Sequence, residues 1–179
     1  QLIGHETGEV LAYKLVNIMK NEHNPEGYFR HPTSMQHNHL CITGGEPLMR
    51  HAQMAYLDIY ERLRMIPGGP IPGAKYMAPS NLPASVTWET NGTQPLYPEF
   101  RDLVGSPLHQ PEVFFSVSPK LWSVAGEKRE KAIKPAVVKQ YWDISKKGQL
   151  KFVVGQTKEE WEELDEVVDL FRKEGVEYP

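Results

Sequence analysis

The chain has 179 residues, a formal net charge of −3, and 40% apolar against 24% charged residues, the balance of a soluble globular protein long enough for one real core. No apolar run approaches a membrane span, and the charge gives no reason to expect a nucleic-acid partner. The single cysteine, Cys41, excludes an internal disulfide and a structural zinc site of several thiolates; with no basic, apolar leader at Gln1–Glu6, it fits a cytoplasmic setting.

In chain order, Gly8 to Asn21 reads as a helix capped by Thr7, with Leu11, Leu15 and Ile18 on one face and Met19 beside them. A polar, histidine-rich loop covers 22–38. Leu40-Cys41-Ile42 is a short strand in which Cys41 reads as a small buried apolar residue. A second helix is expected from Pro47 to about Ile66, with Ala52, Tyr56, Ile59, Leu63 and Ile66 as its stripe and Pro47 at its first position. Residues 66–85 hold five prolines and three glycines, which excludes a regular element. This insertion reads as an ordered excursion or lid, with a floppy surface loop as the alternative. Val86–Thr90 is the second strand, ended by Asn91-Gly92, and a short helix covers Tyr97–Leu103. Val113–Val117 is the third strand. A helix opens at Pro135 and runs to about Lys146, and Leu150–Val154 is the fourth strand. Thr157 and Glu160 form a capping box for a last helix whose stripe is Trp161, Leu164, Val168 and Phe171, closed by Gly175. Apolar strands alternating with amphipathic helices imply an α/β fold with a parallel sheet and right-handed crossovers.

Three strands end in unusual polar strings: Thr43-Gly44-Gly45-Glu46-Pro47, Glu89-Thr90-Asn91-Gly92-Thr93 and Ser118-Pro119-Lys120. In a parallel sheet all three lie at the C-terminal edge, where α/β proteins bind ligands. Together they offer backbone donors beside glycine, carboxylates, hydroxyls and an ammonium, a set that suits a ligand with an amino-acid moiety.

The first string resembles the Gly-Gly-Glu-Pro motif of radical S-adenosylmethionine (SAM) enzymes. Combined with the Glu89 and Ser118 strings and Leu150-Lys151-Phe152-Val153-Val154, it resembles the 7-carboxy-7-deazaguanine synthase family over about residues 5–179. That resemblance implies a partial (β/α)6 barrel binding a [4Fe–4S] cluster, SAM and Mg2+. It also implies conversion of 6-carboxy-5,6,7,8-tetrahydropterin to 7-carboxy-7-deazaguanine, a lyase step of queuosine and other 7-deazapurine biosynthesis. Gly44, Gly45, Glu46, Ser118, Pro119 and Lys120 would then meet SAM, and Thr43 the pterin. Glu89 and Asn91 would point into the same cleft.

One feature departs from the family. Its cluster is held by Cys-x3-Cys-x2-Cys, and Cys41 stands alone. The chain opens on a helix where the family opens on a strand and cysteine loop, and closes on Gly175–Pro179 where a last strand should follow. The expectation is a single incomplete radical SAM core over 1–179, lacking the first and last strands, the cluster cysteines and the Mg2+ ligand. Such a chain alone would be inactive and hold no cofactor firmly, and its open edges would invite a homodimer. Two alternatives share the first string: an activase that makes glycyl radicals, which the Ser-Pro-Lys string disfavours, and a non-catalytic SAM-binding scaffold. Other candidates carry less. His37-Asn38-His39, with His31 or His51, reads as an exposed loop rather than a metal site. His5, His23 and His109 show no partner pattern. The basic run 128–134 is broken by Glu130 and reads as surface.

Overall fold

The computed structural model describes residues 6–179; His5 lies outside them. The described chain falls into two compact units, the first taking residues up to 40, 50–86 and 107–112, the second 41–49, 87–106 and 113–179.

In the first unit, α1 (Gly8–Met19) starts at Thr7, whose hydroxyl accepts from Val10 N at 3.4 Å, a cap worth about 1 kcal/mol. The helix stops two residues earlier than expected, where Asn21 and Asn24 exchange backbone hydrogen bonds of 3.2 and 3.1 Å. Its buried face is Gly8, Ala12 and Val16. Leu11 and Leu15 flank that face, and Ile18 is 80% exposed. The expected stripe is therefore rotated, and the cause is close approach to α2 (Arg50–Met65). A Cβ at Gly8 would lie 2.3 Å from Asp58 Cβ, so the small residues, not the large ones, face the neighbouring helix. α2 buries Gln53, Tyr56, Tyr60 and Leu63. It begins at Arg50 rather than Pro47, because Glu46–Met49 forms a turn closed by Met49 N to Glu46 O at 3.2 Å.

The two irregular segments of this unit are interlocked. Asn81, 1% exposed, accepts from Phe29 N at 2.8 Å and donates to Gly27 O at 3.1 Å. Gly68 N and Ala78 N pair with Ala78 O and Gly69 O, both at 2.9 Å. The proline-rich excursion is thus ordered by backbone pairing around buried Leu82 and Pro83.

Four strands form one sheet, β1 (Leu40–Ile42), β2 (Ser85–Thr90), β3 (Glu112–Val117) and β4 (Gly148–Leu150), parallel and in sequential order β1-β2-β3-β4. Within the second unit, α3 (Pro98–Val104), α4 (Trp122–Ala125), α5 (Arg129–Ala132), α6 (Pro135–Ile144) and α7 (Lys158–Lys173) accompany it; the two four-residue helices α4 and α5 were not expected. Trp88 meets Phe100 edge-on at 5.1 Å, and Phe115 stacks on Tyr141 at 4.9 Å. Each such fully buried ring contributes about 2–3 kcal/mol by burial. The capping box of α7 forms with both hydrogen bonds. Its buried residues are Val167 and Phe171, while Trp161 is 50% exposed, another rotation of the expected stripe.

β4 precedes the run assigned to it. Its register pairs Phe115 with Gly148 and Val117 with Leu150, so the apolar residues 152–154 continue beyond the ladder. Beside β4 the chain after α7 returns. Leu150 N donates to Pro179 O at 2.8 Å and Lys151 N to Val117 O at 2.7 Å, and Val176 and Tyr178 are fully buried. Cys41 is exposed rather than buried, because β1 ends the sheet order and its middle residue faces outward. Among the described residues, no helix is long and apolar enough to cross a membrane.

Candidate functional site

All three polar strings fall in the second unit, and one side chain ties two of them. The Glu46 carboxylate accepts from Leu48 N at 3.0 Å and Thr90 Oγ1 at 2.6 Å through Oε1, and from Asn91 N at 2.8 Å through Oε2. Three donors on one carboxylate fasten the turn after β1 to the end of β2. That leaves Glu46 as a clasp, with its side chain turned to protein donors. Thr90 Oγ1 in turn accepts from Gly92 N at 3.1 Å. Asn91 Oδ1 closes its own loop by accepting from Thr93 N at 2.9 Å and Thr93 Oγ1 at 2.7 Å. Burial, then the nearby Glu46 charge, pushes the Tyr141 phenol well above its ordinary value, and its hydroxyl donates to Gln94 O.

The clasp holds Gly44 and Gly45 at φ 91° and 56°, in the left-handed region that favours glycine. Among the described residues, chain neighbours aside, no heavy atom lies within 4 Å of the point where a Cβ would sit on either. These glycines are therefore required by backbone conformation, and their outer side is open to a ligand. Gly92 differs: its φ is 78°, and a Cβ there would lie 2.7 Å from Val117 Cγ1. The third string is anchored by Ser118 N donating to Thr90 O at 2.7 Å. Ser118 is half-buried, Pro119 buried and Lys120 exposed. Neither the Thr43 hydroxyl nor the Lys120 ammonium is engaged by another described residue. Behind Lys120, the Glu163 carboxylate receives Trp122 N at 2.7 Å, Ser123 N at 2.8 Å and the Ser123 hydroxyl.

The sheet also has two chemically distinct faces. Val86, Trp88, Val113, Phe115 and Val117 are buried. The alternate positions, Phe114 apart, carry polar groups: Thr87, Glu89, Ser116, Gln149 and Lys151. Gln149 Nε2 donates to Ser116 Oγ at 3.0 Å, and Lys151 Nζ pairs with Glu89 Oε2 at 2.6 Å. The Glu89–Lys151 pair spans from β2 to the end of β4, over β3. Sequence reasoning reached Glu89 but missed Thr87, Ser116, Gln149 and the pairing of Lys151. The available signal is the polar alternation of Ser85, Thr87 and Glu89 in β2, which Phe114 interrupts in β3.

The histidines behave differently from expectation. His37 is half-buried and bonded on both ring nitrogens, to Arg30 Nη2 and Leu82 O, each at 2.8 Å, while His39 is exposed. His109 has partners after all: Nε2 lies 2.9 Å from Tyr56 OH, and the ring stacks on Tyr60 at 4.9 Å. Burial pushes its pKa down to about 4. Among the described residues, no group of three or more His, Cys, Asp or Glu is placed to hold a metal ion. An iron–sulfur cluster of the expected kind needs three thiolates; with Cys41 as the chain's one cysteine, these residues do not fit it. Compared with protein-family models, with curated proteins and with solved structures, the chain finds no match.

Proposed function

We propose that the strand-end strings of the second unit form the SAM-binding edge of a radical SAM protein resembling the 7-carboxy-7-deazaguanine synthase family. The observation that carries this reading is the Glu46 clasp. It fastens the Gly-Gly turn to the Asn-Gly loop and leaves the Gly44–Gly45 backbone open. The sequential strand order adds support, since each crossover advances one strand in the same direction, as in barrel folds, with no reversal of the doubly wound kind.

In this reading the residues have distinct tasks. Gly44 and Gly45 present backbone N–H groups to the methionine end of SAM. Lys120 supplies a point charge for the ligand carboxylate. Ser118 and Thr43 offer hydroxyls, Thr43 toward the pterin, and Pro119 shapes the wall. Glu46 and Asn91 position the loops. Glu89 and Lys151, with Ser116 and Gln149, present donors and acceptors of both kinds to a polar heterocycle such as a carboxypterin. SAM would supply an adenosyl radical only with an electron from a cluster, which this chain's residues do not fit, so the residues here are assigned binding and positioning tasks alone. A partial barrel, the cytoplasmic setting and pairing of two copies along an exposed strand belong to the same reading.

Titration calorimetry with SAM tests it. Binding in about the micromolar-to-millimolar range, weakened about tenfold by Lys120→Ala with unchanged thermal stability, is the expected result. No binding at millimolar SAM, or equal binding by Lys120→Ala, rejects it. The solitary, exposed cysteine favours a second reading, a SAM-binding scaffold without radical chemistry. It predicts the same SAM binding with no binding of a carboxypterin in a second titration, whereas the first reading predicts both.

A further inference from the structure

The first unit contains a cavity of about 460 Å3 that the strand-end site does not involve. Its walls come from the histidine-rich loop, the proline-rich excursion and Gln110. The excursion contributes Ile71, Leu82 and Pro83, so much of the lining is apolar. Arg30 and His37 stand in the same wall, and no acidic side chain lines it among the described residues.

Each terminal nitrogen of the Arg30 guanidinium has one neutral acceptor, which leaves its second N–H and the Nε–H to a ligand. Nη2 donates to His37 Nδ1 at 2.8 Å, and Nη1 reaches Met35 O at 3.4 Å. His37 is itself fixed by Leu82 O, 2.8 Å from Nε2. A carbonyl can only accept and a guanidinium can only donate, so Nε2 carries the ring proton and Nδ1 presents its lone pair to Arg30. The imidazole therefore orients the cation without neutralising it. No carboxylate pairs with Arg30 among the described residues. A half-buried guanidinium held by two neutral acceptors in the wall of a cavity with no acid among its described lining lacks its natural counter-group. The planar fork of donors matches a carboxylate in two-point contact, and an apolar-walled space with few convergent polar groups is the usual form of a small-ligand site.

We propose that this cavity binds a small carboxylate with an apolar body. The Arg30 fork takes the carboxylate, the excursion walls take the body, and His37 acts as a positioning residue for Arg30. The site is independent of the SAM reading.

The test uses the whole chain, 15N-labelled, titrated with sodium benzoate and separately with inorganic phosphate. Benzoate is expected to shift the amide resonances of Ala78, Ser80, Asn81, Leu82 and Ala84 and the Arg30 side-chain signal in a saturable way. Arg30→Gln should weaken this at least about tenfold, and Arg30→Lys, which keeps charge but not the fork, should fall between. Gln110→Trp, a substitution at an exposed position on the rim, should occlude the cavity with Arg30 intact, which keeps the test decisive if Arg30→Gln fails to fold. Shifts absent at tens of millimolar benzoate, shifts unchanged in Arg30→Gln or Gln110→Trp, or phosphate binding more tightly than benzoate would each overturn the assignment.

Discussion

Two Gly-Gly pairs in this chain do opposite things. Gly68-Gly69 lies buried in the first unit, where a Cβ on Gly68 would sit 2.1 Å from Ser80 O and one on Gly69 2.4 Å from Arg30 O. Gly44-Gly45 lies exposed in the second, with positive φ at both residues and empty space where each Cβ would be. In the first pair glycine is selected by what presses on it, in the second by the backbone angle alone. A dipeptide therefore means packing in one place and an open turn in another, and the surroundings decide which.

The sharpest way to break this contrast is Gly68→Ala. Its methyl must displace a backbone carbonyl, which cannot rotate away as a side chain would, so a loss of about 3 kcal/mol is expected in urea unfolding. A loss below about 1 kcal/mol would mean the excursion yields easily. Glu46→Ala comes next. It strips the acceptor from Leu48 N, Thr90 Oγ1 and Asn91 N, at a cost of about 2 kcal/mol, and amide exchange should accelerate at Asn91. If Asn91 exchange is unchanged, the clasp does not hold the loop.

Acid probes the packed unit through His109. Burial is the largest cause of the depressed His109 pKa of about 4, with the Pro111 backbone opposing it. The unfolded chain takes up that proton near pH 6.5. The stabilising preference for neutral His109 is thus complete above about 6.5 and disappears as pH falls from there towards 4. The melting temperature should drop by several degrees over that window, and His109→Gln should flatten this part of the profile. Gly44→Ala is the smallest effect on stability, about 1 kcal/mol for the left-handed backbone with no clash added. Its effect on SAM titration should exceed its effect on unfolding; the reverse outcome would make the turn structural.

Features set by neighbours in sequence were readable. The Thr157–Glu160 box, the Thr7 cap and the positions of β2 and β3 depend on residues a few places apart, and all are found. What depended on distant partners was not. Periodicity puts the α1 stripe on its largest residues, yet the buried face is Gly8, Ala12 and Val16, with Gly8 against α2 and Val16 against Gly27. The apolar run 150–154 predicts β4, whereas the ladder with β3 ends at Leu150. Of the site, the three strings and their shared edge were legible because strands end where polarity and glycine begin. The Glu46 clasp was not, since its partners are 44 and 45 residues away. Asn81, Arg30 and His37 looked like loop residues because nothing local reveals that two irregular segments fold over each other.

The outward-facing Cys41 has a practical consequence. It is the chain's sole thiol, and it is exposed two residues before Thr43 and three before Gly44. A maleimide dye would therefore attach at one position on the unmodified protein and sit beside the open turn. Its emission would give the proposed SAM titration a second readout, with no engineered cysteine, while the same exposure calls for a reductant during purification to prevent chain-to-chain disulfides.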